Sequence, residues 1–223
     1  MAVMLTEIDT WIFDLDNTLY PASAGVGAQI SARMGEFVST LLDLQIEDAR
    51  QVQKQLFRAH GTTLRGLMTV HGIDPRDFLA YVHDIDISEL APATALAAAL
   101  DALPGRKLIH TNASVRHAER VLDRLGLTGH VSGIFDIVAS EYMPKPDPAG
   151  YDQLIRRFGL DPRRAAMVED IARNLKPAAV LGMVTVWVRN PADWATDGAS
   201  EPYVHHATDD LARFLTEGAT TRP

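Results

Sequence analysis

The chain contains no cysteine. Disulfides, thiol nucleophiles and Cys-ligated zinc are therefore excluded. No hydrophobic stretch approaches the length of a membrane span, and no basic segment leads Met1–Asp9 into a long apolar run, the pattern of a secretory leader. A cytoplasmic protein with no membrane partner is the expectation. Positive charge is also in short supply, with 21 Lys and Arg against 29 Asp and Glu and a formal charge of −8. That argues against a surface that tracks a nucleic-acid polymer. It leaves room for a small anionic substrate, because a few local cations or a metal can reverse the sign of one cleft. There is no internal repeat and no low-complexity tract. What is present is 223 residues, 47% of them hydrophobic and 22% charged. This supports a real core and excludes global disorder. The length exceeds one minimal domain and falls short of two full ones.

The pattern along the chain is uneven. Residues 10–14 form an apolar, β-prone run that ends at an acid, the signature of a buried strand. From about residue 24 to 85 the periodicity is purely helical. Ile30, Met34, Phe37, Val38, Leu41 and Leu42 share one helical face, and Ala49, Val52, Leu56 and Phe57 share another. Leu64, Leu67 and Met68 suggest a third helix, and Asp74-Pro75 caps and opens a fourth. From residue 92 helix and strand alternate. The helices cover 92–103, 115–125 (capped by Ser114 and closed by Gly126), 148–158 and 175–181. The strands cover 107–110, 134–139, 165–168 and 183–188. Such alternation predicts an α/β fold, an open parallel Rossmann-like sheet with helices on both faces. The strand at 10–14 belongs to that sheet, so the helical block is an insertion. The expected division is a core of residues 1–20 and 92–223 with an all-helical domain at 21–91. Hinges are expected near 20–24 and 86–92, where Pro21 and Pro92 punctuate the chain. Gly218–Pro223 read as a frayed end, and His205-His206 as surface or edge strand.

In open α/β sheets ligands lie beyond the carboxyl ends of the strands. Those ends supply Asp14, Asp16 and Thr18; Thr111 and Asn112; a loop with Lys145; and Glu169-Asp170. Asp14 and Asp16, two apart on an extended segment, can face the same side. Two like charges about 4 Å apart repel by roughly 4 kcal/mol at an effective dielectric of 20. A cluster of up to four carboxylates therefore needs a counter-ion. An all-oxygen ligand set favours Mg²⁺ over zinc. Pro146 disfavours the helical region for Lys145 and holds an ammonium extended beside the acids. Thr111–Ser114 opens a helix whose free N–H groups suit a phosphate, although Thr111 and Asn112 can equally serve as helix caps. These parts fit phosphoryl transfer through a carboxylate nucleophile.

Phe13-Asp-Leu-Asp-Asn-Thr-Leu19, Thr111, Lys145-Pro-Asp-Pro148 and Glu169-Asp170 resemble the four motifs of the haloacid dehalogenase superfamily, in order and over essentially the whole chain. The resemblance implies Asp14 as nucleophile and Asp16 as general acid/base, with Lys145 and Thr111 steadying the phosphoryl oxygens. It implies Mg²⁺ held by Asp14, the backbone carbonyl of Asp16, Asp170 and, directly or through water, Glu169. The helical insertion lies where this superfamily places a cap domain. Leu19-Tyr-Pro21, His60-Gly-Thr-Thr-Leu-Arg-Gly-Leu67, Tyr81-Val-His-Asp84 and Asn174-Leu-Lys-Pro177 look like the pyrimidine 5′-nucleotidase branch. That implies UMP- or CMP-type substrates, with Thr18, Asn112, His60, Thr63 and Arg65 as substrate-binding candidates; His60 and Arg65 also read as a polar helix face.

The expected function is thus a Mg²⁺-dependent phosphatase acting on a small phosphorylated metabolite, as a monomer or homodimer. A sugar-phosphate phosphatase or a β-phosphoglucomutase-like phosphotransferase would use the same groups. A 2-haloacid dehalogenase would lack the acid at Asp16, and a non-catalytic nucleotide-binding module gains nothing from clustered carboxylates.

Overall fold

In this computed structural model residues 5–220 are described. Strand β1, Thr10–Phe13, is buried along its whole length. Trp11 and Phe13 face one apolar cluster and Ile12 the opposite one, the alternation that a strand imposes. Four helices follow before the chain returns: α1 (Val26–Leu42), α2 (Ile46–His60), α3 (Thr63–His71) and α4 (Pro75–Val82). Their inward stripes, including Val38, Leu56, Leu67, Phe78 and Val82, build a cluster of their own. Asp74 caps α4 by accepting from the Arg76 N–H at 2.9 Å, an interaction worth about 1 kcal/mol.

The alternating part then runs α5 (Thr94–Ala102), β2 (Arg106–His110), α6 (Val115–Leu125), β3 (Gly133–Phe135), α7 (Pro148–Phe158), β4 (Ala165–Glu169), α8 (Leu175–Val180), β5 (Val184–Val188), α9 (Asp193–Thr196), β6 (His206–Thr208) and α10 (Leu211–Thr220). The six strands form one all-parallel sheet in the order β3-β2-β1-β4-β5-β6. This is the open, Rossmann-like α/β sheet that the pattern predicted. Residues of α5, α6 and α10 fill one face and residues of α7 and α8 the other. The strand order reverses direction between β1 and β4, the switch point where such sheets open a crevice. No helix among the described residues is long and apolar enough to cross a membrane.

Some elements differ from expectation. The strand expected at 134–139 ends at Phe135. The Asp136 carboxylate accepts from Ala139 N–H and from Val115 N–H, both at 2.9 Å, which bends the chain into a turn and ties it to the start of α6. Ile137, expected inside that strand, instead seats in the cluster of the inserted helices. At the C-terminus, Gly218 to Thr220 form the last turn of α10; residues 221–223 of that expectation lie outside the described residues. His206 opens the edge strand β6.

Gly105, ahead of β2, has φ +86°, and a Cβ there would lie 2.2 Å from the Asp9 carbonyl oxygen. That same oxygen accepts from Arg106 N–H at 2.9 Å, so the backbone cannot withdraw without loosening the β1–β2 register. Gly105→Ala should therefore lower the unfolding free energy by about 1–3 kcal/mol, read by equilibrium denaturation; an unchanged midpoint would contradict this account of the turn.

Candidate active site

The ends of β1, β2 and β4, together with the loop before α7, deliver polar residues into a single cleft of ≈220 Å³. Asp14 follows β1 directly, and its N–H extends the pairing to the Val168 carbonyl at 2.8 Å. Extended chain stops there, however. Asp16 was expected to share a strand face with Asp14; it lies in the following turn, with Asn17 at φ 62°, and reaches the same cleft from there. Thr111 and Asn112 enter from β2, Lys145 from the loop before α7, and Glu169 and Asp170 from β4.

Lys145 is the hub. Its ammonium, 4% exposed, lies 2.6 Å from Asp14 Oδ1 and 2.5 Å from Glu169 Oε2. Its backbone is clamped as well, because Lys145 N–H donates to Asn112 Oδ1 at 2.8 Å. Burial alone would lower the lysine, and the two carboxylates more than reverse this, so it stays charged. Thr18 Oγ1 donates to Asp14 Oδ2 at 3.0 Å, which makes Thr18 a brace for Asp14. Thr111 Oγ1 accepts from Ala113 N–H at 3.0 Å and lines the cleft. Glu169 Oε1 also accepts from Ile171 N–H at 3.2 Å, so one oxygen is given to the lysine and the other to the backbone.

One ammonium does not neutralise this many acids. Burial, with Glu169 beside it, pushes Asp14 up to about 7. Burial, with the charges of Glu169 and Asp14, pushes Asp170 up to about 9, although Asn190 Nδ2 donates to Asp170 Oδ2 at 2.7 Å. Oxygens of Asp14, Glu169 and Asp170 lie within 4.8 Å of one another. Buried carboxylates that outnumber their single ammonium are the donor set of a hard divalent cation.

Asp16 has different company. Its Oδ1 accepts from the Tyr20 hydroxyl at 2.5 Å and faces His117 Nε2 at 2.8 Å. Burial works to raise this carboxyl, but the imidazole and the hydroxyl outweigh it and hold Asp16 below the ordinary carboxylate range. His83 stacks on His117 with ring centroids 4.5 Å apart and contacts Ser114 Oγ through Nδ1 at 3.1 Å. Burial, and then the neighbouring His117, push His83 down to about 4. Sequence reasoning missed His117, His83, Tyr20 and Asn190 as site residues. Tyr20 and His83 lay in segments that carried the family likeness but were given no role, and His117 was signalled as a histidine in the first turn of the helix that leaves β2.

The inserted helices contribute Gly27, Ile30 and Met34 of α1 and His83 to the cleft wall. His60, Thr63 and Arg65 do not line it. His60 ends α2, Thr63 is buried at the start of α3, and Arg65 N–H donates to the capping Thr62 Oγ1 at 3.1 Å.

The sign of the pH dependence follows from Asp14 and Asp170. Each binds its proton more tightly folded than unfolded, where the ordinary value is 3.8. The metal-free protein should therefore lose stability as pH rises from about 4 to about 9. A divalent cation that replaces those protons should raise the melting temperature more at about pH 8.5 than at about pH 5. Thermal melts with and without Mg²⁺ at the two pH values test this; a Mg²⁺ shift independent of pH would refute the cluster as its site.

Comparison with known proteins agrees with this geometry. The sequence matches the haloacid dehalogenase-like hydrolases over residues 8–182. It is 28% identical over 191 residues to "Phosphate metabolism protein 8" of Saccharomyces cerevisiae, covering 78% of this chain and 59% of the yeast protein. Over 67 residues it is 37% identical to enolase-phosphatase E1 of Frankia alni, covering 30% of this chain and 28% of that protein. The chain thus spans less than two thirds of either relative. Among solved structures, a phosphatase of the same superfamily from Thermococcus onnurineus superposes with a TM-score of 0.62 at 17% identity, over 93% of this chain and 96% of the other. L-2-haloacid dehalogenase from Xanthobacter autotrophicus gives 0.59 at 14% identity, over 96% and 100%; at these identities both show the shared fold. With the strand order, the four strand-end motifs and the sequence match in agreement, the chain belongs to the haloacid dehalogenase-like hydrolases.

Proposed function

We propose that this hydrolase is a Mg²⁺-dependent phosphatase that cleaves small phosphomonoesters through an aspartyl-phosphate on Asp14, with pyrimidine nucleoside 5′-monophosphates as its substrate class. The observation that carries the reading is the Lys145 ammonium between Asp14 and Glu169, with Asp16 lining the same cleft. A lysine held at the nucleophile draws a phosphoryl anion onto a carboxylate that would otherwise repel it. Asp16 distinguishes phosphate chemistry from dehalogenation, since an alkoxide leaving group needs a proton and a halide does not.

An oxygen of Asp14 attacks phosphorus, the bond to the leaving oxygen breaks with its electron pair, and Asp16, entering the step with the proton that hydrolysis in the preceding turnover left on it, gives that oxygen a proton. Water then attacks the aspartyl-phosphate, its proton passes to Asp16, and the bond between phosphorus and Asp14 breaks to release phosphate. Thr18 holds Asp14 in position, and Asn112 keeps the Lys145 backbone in place. Thr111, which lines the cleft, would offer its hydroxyl to a phosphoryl oxygen. Asp14 and Asp170, with the Asp16 carbonyl and Glu169 directly or through water, would hold the Mg²⁺, which when bound supplies positive charge to the phosphoryl oxygens.

Residues 21–91 act, in this reading, as a cap over the core formed by 1–20 and 92–223. Two features support the nucleotidase branch. Tyr20, in the segment after the first motif, holds Asp16, and His83, in Tyr81-Val-His-Asp84, borders the cleft. Ile30 and Met34 offer apolar surface to a base. The segment carrying His60, Thr63 and Arg65 stands off the cleft wall, so those residues meet substrate only when the cap shifts.

The test is phosphate release from UMP, CMP, TMP, AMP, GMP and several sugar phosphates. Activity should vanish with a chelator and return with Mg²⁺, and Asp14→Asn should fall below about one thousandth of wild type. Turnover retained in that variant would sink the nucleophile assignment. Preference for sugar phosphates would keep the chemistry and discard the nucleotide. A phosphorylated sugar product in place of free phosphate would favour the mutase.

A further inference from the structure

We propose that His117, steadied by the stacked ring of His83, is a positioning residue that dedicates the two oxygens of Asp16 to separate tasks, Oδ1 to anchorage and Oδ2 to proton transfer. The inference rests on the phosphatase reading of the site and adds to it how the acid is aimed.

The geometry is one-sided. Oδ1 takes both donors, the Tyr20 hydroxyl and His117 Nε2. Among the described residues Oδ2 has no hydrogen-bond partner, and Asp16 borders the cleft. A carboxylate turns about its Cβ–Cγ bond with little resistance, since such sp³–sp² torsions are broad. Two donors on one oxygen stop that rotation and leave the other oxygen free of protein donors.

The donor is itself fixed. His117 is wholly buried, and its Nδ1 meets no hydrogen-bond partner. Because a carboxylate oxygen only accepts, the nitrogen facing Asp16 acts as the donor. His117 belongs to the first turn of α6, where its N–H donates to the capping Ser114 Oγ at 3.4 Å. The opposing plane comes from the inserted helices. His83 closes α4, lies 18° from parallel with His117, and is itself bonded to Ser114. Core and insertion thus each supply one ring, and Ser114 touches both residues. The Arg120 guanidinium donates to the carbonyls of His83 and Ile85 at 2.8 and 2.9 Å, which holds the stacking ring at this place. The aim of the acid consequently depends on where the insertion sits.

The readout must separate aim from folding, and leaving-group dependence does so. Nitrophenolate departs without a proton, whereas an alkoxide needs one from Asp16. Single-turnover release of the leaving group should be compared for p-nitrophenyl phosphate and for the alkyl phosphate that wild type cleaves fastest. His117→Leu should slow the alkyl ester by about 100-fold, the scale of one general-acid contribution, and the nitrophenyl ester by less than about 5-fold. His117→Gln, which returns an N–H at similar reach, should recover most of the difference. Equal losses on both esters, or Gln no better than Leu, would overturn the proposal. Crystal structures of the two variants give a reading independent of turnover. Asp16 should keep its orientation in His117→Gln and rotate in His117→Leu. An unmoved Asp16 in His117→Leu would overturn the positioning role even if wild type cleaves neither ester, a result that by itself would count against the phosphatase reading.

Discussion

The ion pair that everything else answers to is the one between Lys145 and the two acids it bridges. Removing a lysine and several carboxylates from water is costly, and their attraction offsets that only when geometry and hydrogen bonding are complete. Here the completing contacts come from across the chain. Asn112 fixes the lysine backbone, Thr18 takes the second oxygen of Asp14, and the Ile171 N–H takes the second oxygen of Glu169. Asp170 receives Asn190. An arrangement that still leaves two carboxyls raised is unfinished electrostatically, with more negative charge buried than the one ammonium offsets.

The parallel sheet makes such a concentration feasible. All six strands point the same way, so their ends converge on one edge. Buried runs such as Thr10–Phe13 and Ala165–Glu169 need nothing polar until they leave the sheet, which is why the acids appear as each run stops. The two carboxylate stations of β1 and β4 lie on neighbouring strands. Asp14 even extends the pairing between them through its N–H to Val168. Strand pairing, and not flexible loops, therefore sets the spacing of Asp14 from Glu169 and Asp170.

Much of this was legible beforehand because it is local. Alternating apolar runs announced β1, β2, β4 and β5, and Ser114, Asp147-Pro148 and Gly126 marked helix ends that the backbone respects. Strand-end residues named the inner site by the same logic. The features not foreseen depend on contacts distant in sequence. His117 meets Asp16 across 101 residues, Asn190 meets Asp170 across 20, and His83 meets Ser114 across 31. No periodicity encodes those meetings. Ile134–Ala139 misled because its apolar residues serve two cores, Phe135 in the sheet and Ile137 in the inserted helices. The His60–Leu67 segment was a family likeness without a local physical signal, and its candidates stand apart from the cleft.

The two crossings between the sheet and the inserted helices are built unequally. The outgoing one, Pro21–Gly25, is a short turn that ends in a left-handed glycine at φ +78°. The returning one is fastened to α6, with Arg120 on the carbonyls of His83 and Ile85 and Arg124 on that of Ser88. The inserted helices are thus not a freely exchangeable cassette. A chimera that imported another relative's helices would have to import the matching face of α6 with them. Divergence of the insertion and divergence of that core helix should therefore travel together, as inherited pairs.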